Sequence, residues 1–285
     1  MVWCSPSPPF GRSSTRRCST KYISYSQLNT YEQCPRQWYL SRVRKARERQ
    51  TWYFPMGTAV HTIGEHKIKT GEELEFEDVF FPLVREQRKI EPDTTQWLAG
   101  GPMDAPFMGQ KVIDMGKACV ENYFKFLEKF KVQHVELDVS GYLPNCEPLI
   151  KGFADLIGEH DDHGFIVVDT KTSAAKPKND VQLQTYSALY GVKLKIPTPN
   201  AFWLMLRPDA KPKTDKARFV DMSELDIGEL GARYQRAWDK MQQMIVPASA
   251  TFCTFCTQQP NCLVQSGPTA RATYYDKSET DGIPF

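Results

Sequence analysis

Phe165-Ile-Val-Val-Asp-Thr-Lys171 decides the fold, because this stretch reads as a central β-strand that carries charge. Side chains alternate between the two faces of a strand, so Asp169 and Lys171 point the same way, while Ile166 and Val168 line the other face. A carboxylate and an ammonium group are costly to bury unless they have partners. The stretch therefore predicts a buried strand that bears a polar site.

A second strand supplies another carboxylate. The segment Lys151-Gly-Phe-Ala-Asp-Leu-Ile157 precedes the first stretch, and the polar residues between them predict a hairpin turn. The hairpin places Asp155 beside Asp169, and two adjacent carboxylates repel each other unless a cation lies between them. Oxygen ligands suit Mg²⁺ or Mn²⁺, and the carbonyl of Thr170 is a further candidate ligand.

These groups are the parts that phosphodiester cleavage needs. A bound metal polarises the phosphate oxygens and lowers the pKa of a water molecule. Lys171 beside the metal would orient that water or stabilise charge in the transition state. The pattern Asp-x-Lys alone also fits an ion pair in which Lys171 neutralises Asp169, and Asp155 leaves both interpretations open.

The elements predicted around these strands are those of an α/β domain with a mixed sheet. Cys119 falls on the apolar stripe of one helix and is predicted to be a core residue. Helices are predicted over 24–46 with a break at Cys34-Pro35, over 57–70 up to Gly71, over 107–130, over 179–191, and from Ser223 to about Ile245; strands are predicted over 135–139, 149–157, 164–171, 202–207 and 217–222.

Composition limits the functional classes. The chain has 285 residues, 41% hydrophobic and 25% charged, which is typical of a globular protein. No apolar run is long enough to span a membrane, and no apolar segment follows the N-terminal arginines, so we expect a cytoplasmic protein without a secretory signal. The net charge of +2 means that DNA binding must depend on local patches. Residues 1–20 are predicted to be a disordered leader.

Cysteines predict a second cofactor site. Cys253, Cys256 and Cys262 lie within ten residues of one another, and three thiolates at this spacing form most of a metal or cluster site. The fourth ligand must come from elsewhere, and Cys34 far upstream is the best candidate. The spacing fits a Cys₄ zinc site as well as an iron–sulfur cluster. Either cofactor would join the two ends of the chain.

Two further motifs complete a pattern. His61 follows Gly57 by four residues on a predicted helix, and Gln182 and Tyr186 share one face of the helix after the Asp-x-Lys strand. With these motifs the chain resembles the RecB-type branch of the PD-(D/E)xK nuclease superfamily over roughly residues 22–265. The matching stretches, in the family's order, are Ser24 to Arg36, Gly57-x₃-His61, Gly152-Phe-Ala-Asp155, Asp169-Thr-Lys171 and Gln182-x₃-Tyr186.

The resemblance implies a restriction-endonuclease-like core, a mixed sheet flanked by helices. It implies His61, Asp155 and Asp169 as metal ligands and Lys171 as the catalytic lysine. Gln182 and Tyr186 would support the site or contact DNA. Two residues outside the matching motifs stay less defined: Glu136 fits a place near the site or a solvated strand position equally well, and His66 is assigned to the surface.

The cysteines resemble those of the iron–sulfur branch of this family, which includes the CRISPR-associated RecB-like exonucleases and the nuclease domain of AddB. That branch has one cysteine before the nuclease core and three after it. The resemblance implies a 4Fe–4S cluster on Cys34, Cys253, Cys256 and Cys262, with Zn²⁺ as the alternative. Such a cluster would join the N- and C-terminal segments of a nuclease domain that spans 21–265.

Two segments suggest binding partners. Basic residues cluster with aromatic ones near the N-terminus, a composition that suits single-stranded DNA, although a solvated helix face with buried aromatics explains some of them. These residues are Arg36, Trp38, Tyr39, Arg42, Arg44, Lys45, Arg47, Arg49, Trp52 and Tyr53.

The predicted flexible tail, 266–285, resembles the acidic tip of bacterial single-stranded-DNA-binding proteins, and its Ile283-Pro284-Phe285 end would dock into a protein partner.

The sequence therefore predicts a Mg²⁺- or Mn²⁺-dependent DNA exonuclease with an iron–sulfur cluster. We expect it to act on single-stranded ends during recombination or repair, as a monomer or as an oligomer. One alternative is a DNA-trimming factor of CRISPR adaptation, which would share the same site. Another is a non-catalytic DNA-binding adaptor that keeps the fold; the intact Asp155, Asp169 and Lys171 argue against it.

Overall fold

The computed structural model describes residues 21–93, 97, 106–249, 253 and 256–262. The predicted leader, 1–20, and the tail with its Ile283-Pro284-Phe285 tip lie outside the described residues. The elements in chain order are β1 (Tyr22–Ser24), α1 (Tyr25–Gln33), α2 (Pro35–Trp38), a π-helical turn (Tyr39–Val43), α3 (Tyr53–Thr70), α4 (Phe76–Ile90), α5 (Pro106–Leu127), β2 (Phe130–Asp138), β3 (Leu149–Lys151), β4 (Phe153–His160), β5 (Gly164–Lys171), α6 (Val181–Leu194), β6 (Asn200–Met205), α7 (Asp215–Arg218), β7 (Phe219–Val220), α8 (Ile227–Gln242) and a 3₁₀ turn (Gln259–Asn261).

The main sheet has five strands in the order β2-β4-β5-β6-β7. The β2-β4, β4-β5 and β6-β7 pairs are antiparallel, whereas β5 and β6 are parallel. Strand β5 is central, as its sequence predicts, and the β4-β5 pair is the predicted hairpin. A mixed sheet flanked by helices fits the restriction-endonuclease-like core that the resemblance implies.

Each face of the sheet covers its own hydrophobic core. Val167 of β5 belongs to the core that also contains residues of α1, α6 and α8. Ile166 and Val168 belong to the opposite core, with residues of α3, α4 and α5. Cys119 of α5 is fully buried in this second core, which confirms its assignment as a core residue.

The predicted strand 149–157 is in fact two strands that belong to different sheets. Residues before Gly152 form β3, which pairs in parallel with β1, and residues after it form β4, which pairs with β2. The Gly152 N–H donates to Ser140 Oγ at 3.2 Å instead of joining a ladder. Strands of three residues are too short to show an alternating pattern, so the β1-β3 pair was not predicted.

Several helix boundaries differ from their predictions for local reasons. Helix α3 ends at Gly71 as predicted, with φ of +79°, but it starts four residues before 57. Helix α8 starts after Asp226, not at Ser223, because the Asp226 side chain accepts from the Glu229 N–H and caps the first turn. Helix α4, which contains Pro82, was not predicted.

Within the described residues, no helix combines the length and apolarity that crossing a membrane requires.

Candidate active site

The C-terminal end of β5 carries a buried polar pair. Lys171 Nζ lies 2.5 Å from Asp169 Oδ2, and the Asp169 side chain is almost completely buried while that of Lys171 is partly accessible. The two residues share a strand face, as their spacing predicts. The ammonium group also lies 5.3 Å from the centroid of the Trp203 ring, and Trp203 is the β6 residue paired with Asp169. The indole N–H of Trp203 donates to Asp180 Oδ1 at 2.6 Å.

Gln182 on α6 connects the members of this pair. Its Nε2 donates to Asp169 Oδ1 at 2.6 Å, and its Oε1 accepts from Lys171 Nζ at 3.1 Å. The same Nε2 lies 3.3 Å from the hydroxyl of Tyr186, one helical turn further on. The amide therefore fixes the orientation of both charged groups, and Tyr186 extends the network.

Asp155 lies beside this pair on β4, as the predicted hairpin requires. The register Leu156↔Val168 brings the ends of β4 and β5 together. The Thr170 N–H donates to Asp155 Oδ2 at 2.6 Å, a contact that holds the carboxylate against the end of β5. Strand geometry thus places Asp155, Asp169 and Lys171 in one site.

His61 reaches the site from α3. Its Nδ1 lies 3.7 Å from Asp155 Oδ2. Burial lowers the pKa of His61, which favours the neutral imidazole that a metal ligand must be. Gly57 permits the close approach of α3, because a Cβ at that position would lie 3.2 Å from Thr172 Oγ1.

Glu136 completes a group of three candidate metal ligands. Its carboxylate, the Asp155 carboxylate and the His61 imidazole each offer an atom, and these atoms lie within 4.8 Å of one another. The flanking register pairs Val135↔Leu156 and Leu137↔Ala154 put Glu136 opposite Asp155. Glu136 has φ of +50°, a conformation that residues other than glycine rarely adopt and that clusters at functional sites.

Asp169 is oriented differently from the other predicted ligands. Among the described residues, the group within 4.8 Å consists of His61, Glu136 and Asp155. The two oxygens of Asp169 are instead directed to Lys171 and Gln182. The structure therefore brings Asp169 next to the three-residue group, with its carboxylate turned towards the lysine.

Electrostatics indicate that the site is suited to a cation. Burial, followed by repulsion from the nearby Asp155 and Glu65, raises the pKa of Glu136 to about 7. Burial also raises the pKa of Asp155 and of Asp169, and Asp155 adds to the shift at Asp169. Carboxylates that resist ionisation next to one another are stabilised when a divalent cation neutralises them. The donor set of carboxylates and one imidazole fits Mg²⁺ or Mn²⁺.

The four predicted cysteine ligands line one cavity. Cys34, Cys253, Cys256 and Cys262 share its lining with Leu40 and Gln258, and it is partly open to solvent. None of these cysteines forms a disulfide. Burial, with smaller contributions from the other three thiols, raises the pKa of Cys256 to about 11. The fold therefore brings Cys34 to the C-terminal triplet as predicted.

The basic and aromatic residues near the N-terminus separate in space. Trp38 and Trp52 are buried, one in each hydrophobic core, so the alternative of buried aromatics holds for them and neither can stack on DNA bases. Exposed cations remain at Arg42, Arg44, Lys45 and Arg47. His66, assigned to the surface, is half-buried, and its Nε2 lies 3.9 Å from Glu72 Oε2.

Comparison with known proteins agrees with this geometry. A family model for the PD-(D/E)XK nuclease superfamily matches residues 22–263, a range that holds the sheet, the polar site and the cysteines. No curated protein sequence matches the chain. The family uses divalent metals for nuclease activity, and the His61, Glu136 and Asp155 group is able to bind one. The chain belongs to the PD-(D/E)XK nuclease superfamily.

Proposed function

We propose that this protein is a metal-dependent deoxyribonuclease of the RecB-like branch that degrades single-stranded DNA from its ends. The observation that carries the proposal is the convergence of three metal-ligand candidates from α3, β2 and β4 beside the Lys171–Asp169 pair. This arrangement puts a cation-binding group and a fixed ammonium group side by side. DNA recombination or repair is the setting that we propose, in the cytoplasm, where the unbridged thiols would stay reduced.

The side chains of the site have different roles in phosphodiester hydrolysis. We assign His61, Glu136 and Asp155 as ligands of Mg²⁺ or Mn²⁺. Asp169 would join them by turning one oxygen away from Lys171, and the Thr170 carbonyl is a further candidate. The bound metal would polarise a phosphate oxygen and lower the pKa of a water molecule.

Lys171 acts next to the ligands. Its ammonium is held between Asp169, Gln182 and the Trp203 ring, so it is already oriented before substrate arrives. From this position it would orient the attacking water or stabilise the charge that develops on the phosphate. Gln182 keeps the lysine and the carboxylate in place, and Tyr186 supports Gln182.

The decisive experiment is a nuclease assay on end-labelled single-stranded DNA with Mn²⁺. Wild type is expected to shorten the strand from an end, and Lys171→Ala to lose this activity while still binding DNA. Lys125→Ala, which removes an exposed lysine from α5, is the matched control and should act like wild type. Equal activity of wild type and Lys171→Ala would refute the site.

Circular single-stranded DNA distinguishes the two modes of cleavage. An exonuclease leaves the circle intact because the circle has no end, whereas an endonuclease cuts it. Complete absence of cleavage of any DNA, with metal bound, would favour the non-catalytic adaptor. A CRISPR-adaptation factor would share the nuclease activity, and it would differ by its partners and by trimming DNA for integration.

At the cysteines we propose a 4Fe–4S cluster, as in the iron–sulfur branch of the family. The four thiols fit a ligand set because they line one cavity without disulfides. A Cys₄ zinc site would use the same four ligands, so metal analysis of the purified protein must distinguish the two cofactors.

The cluster would act as a structural link. By the chain-entropy model, a link across more than two hundred residues stabilises the fold by roughly 5 kcal/mol. We expect the purified protein to be coloured and to contain iron, and Cys34→Ser to lose both colour and thermal stability. Cys146→Ser, at a cysteine outside the cavity, is the control. Zinc without iron in wild type would support the alternative, and a stable coloured Cys34→Ser would exclude Cys34 as a ligand.

The tail gives a separate proposal about partners. We propose that Ile283-Pro284-Phe285 docks into a protein that also recognises the tip of single-stranded-DNA-binding proteins. Deletion of these residues should abolish that binding and leave nuclease activity unchanged. Unchanged binding after the deletion would refute the proposal.

A further inference from the structure

Phe153 is an exposed aromatic residue at the edge of the candidate active site. It is the first residue of β4 and is 50% exposed, although most of the strand after it is buried. Its partner across the β2-β4 ladder is Asp138, which is also exposed and offers the ring no apolar surface. An aromatic side chain in this position is available to a ligand.

The backbone fixes the position of Phe153 relative to the metal-ligand group. Residues two apart on a strand lie about 7 Å apart, so the backbone of Phe153 lies next to that of Asp155. The preceding Gly152 is held by Ser140 and packs under Tyr186, where an added Cβ would lie 2.8 Å from the ring. Phe153 is therefore presented from a rigid segment.

Two lysines lie close to Phe153 along the backbone: Lys151 precedes it by two residues, and Lys193 bonds to its ladder partner Asp138. Lys151 Nζ lies 4.3 Å from the centroid of the Tyr22 ring, and Lys193 Nζ donates to the Asp138 carbonyl at 2.8 Å. Both lysines are exposed. The carboxylate of Asp138 is itself engaged, since it accepts from the Ser140 N–H at 2.8 Å. The surface around Phe153 thus offers an exposed aromatic ring and two exposed cations.

We propose that Phe153 stacks on an unpaired base of the DNA strand that is cleaved in the active site next to Asp155. Lys151 and Lys193 would then lie near the phosphates that adjoin this base. This inference rests on the proposed function and specifies its substrate as a strand with unpaired bases. Aromatic side chains beside cations recognise single strands without sequence preference, because every base has a flat face. Bases inside a duplex are paired and stacked, so they are not available to Phe153.

The test measures DNA binding in a Lys171→Ala background, so that it does not depend on cleavage. The probe is a short fluorescent single-stranded oligonucleotide, and the readout is its dissociation constant by anisotropy. Phe153→Ala should weaken binding by roughly 5- to 150-fold, the range for loss of one base–aromatic stack, and Phe153→Trp should retain it. Phe81→Ala, at an aromatic on α4 that is 45% exposed, is the matched control and should bind normally.

Oligonucleotides that lack one base, at each position in turn, identify the stacked nucleotide. Removing the correct base should weaken binding to the protein with Phe153 and have no further effect on Phe153→Ala. The proposal would be overturned if the affinity losses from base removal and from Phe153→Ala were additive. Unchanged binding by Phe153→Ala, or an equal loss of affinity for blunt duplex DNA, would overturn it as well. A change in oligomeric state of Phe153→Ala would show that the ring contacts a second copy instead. An inactive wild type that still shows the stacking effect would refute only the proposed function.

Discussion

The ammonium of Lys171 lies over the ring of Trp203, 5.3 Å from the ring centroid. Trp203 is fully buried, and its N–H donates to Asp180. The lysine is thus supported by a ring that is itself fixed. A cation over an aromatic face gains about 0.5–2 kcal/mol, which is enough to influence where the ammonium group rests.

Trp203→Leu should lower kcat by about 2- to 30-fold, because Lys171 loses that support. In a Lys171→Ala background the same substitution should not reduce residual activity further, which is the signature of two residues that act together. Phe202→Leu, which alters the opposite core, controls for general loss of packing. Equal losses with and without Lys171 would mean that Trp203 contributes only to stability, and thermal unfolding of each variant quantifies that contribution.

Glu136→Gln should weaken Mn²⁺ binding. The substitution keeps the size of the side chain and removes its charge from the group that includes His61 and Asp155. We expect a loss of at least roughly 10- to 100-fold, the cost of losing even a supporting partner of a metal site. Calorimetric titration with Mn²⁺ measures the affinity. Glu159→Gln, at an exposed residue near the other end of β4, should bind normally, and normal binding by Glu136→Gln would remove Glu136 from the ligand set.

The case of Glu136 shows where prediction from sequence stopped. Strand alternation and one hairpin were enough to bring Asp155, Asp169 and Lys171 together, because these rules are local. Glu136 was left undecided, because β2 contains a register shift near Val132 and Glu136 itself has a positive φ. Both features depend on tertiary packing and leave no pattern in the residues.

The two tryptophans near the N-terminus show a second limit. Trp38 and Trp52 lie among arginines in the sequence, which suggested a DNA-binding surface. Which face of a segment is buried depends on the elements that cover it, and here each tryptophan enters a different core. By contrast, the placing of Cys34 in one cavity with the distant cysteines was predictable, because the hypothesis of a shared cofactor needed a fourth thiol.

Metal affinity should rise with pH in the range around 7. Burial raises the pKa of Glu136 from an ordinary value of 4.5 to about 7, so a proton must leave before the carboxylate can bind a cation. In wild type the dissociation constant for Mn²⁺ should fall as pH rises through this range. An affinity for Mn²⁺ that does not change with pH would contradict the assignment of Glu136 as a ligand that must lose a proton before it binds the metal.

The stability of the metal-free protein should fall as pH rises through the range in which metal affinity increases. A pKa that is raised on folding means that the folded state binds the proton more tightly than the unfolded state. This contribution to stability is complete below about pH 4.5 and is lost as pH rises through about 7. Thermal unfolding in the presence of a chelator should show the loss in wild type. The Glu136→Gln variant should lack this part of the pH dependence, and identical profiles would contradict the shift.

Gly152→Ala should displace Tyr186 and weaken the site. An added Cβ would lie 2.8 Å from Tyr186 Cε1, closer than such atoms approach, so the ring or the strand must move. Overpacking of this kind costs typically 1–3 kcal/mol, and the movement would also disturb the contact of Tyr186 with Gln182. The midpoint temperature of thermal unfolding and kcat should both fall. Gly141→Ala is the matched control, because its nearest neighbour is Leu189 Cδ2 at 3.6 Å, an ordinary contact. Equal stability and activity of the two variants would show that Tyr186 can move without cost.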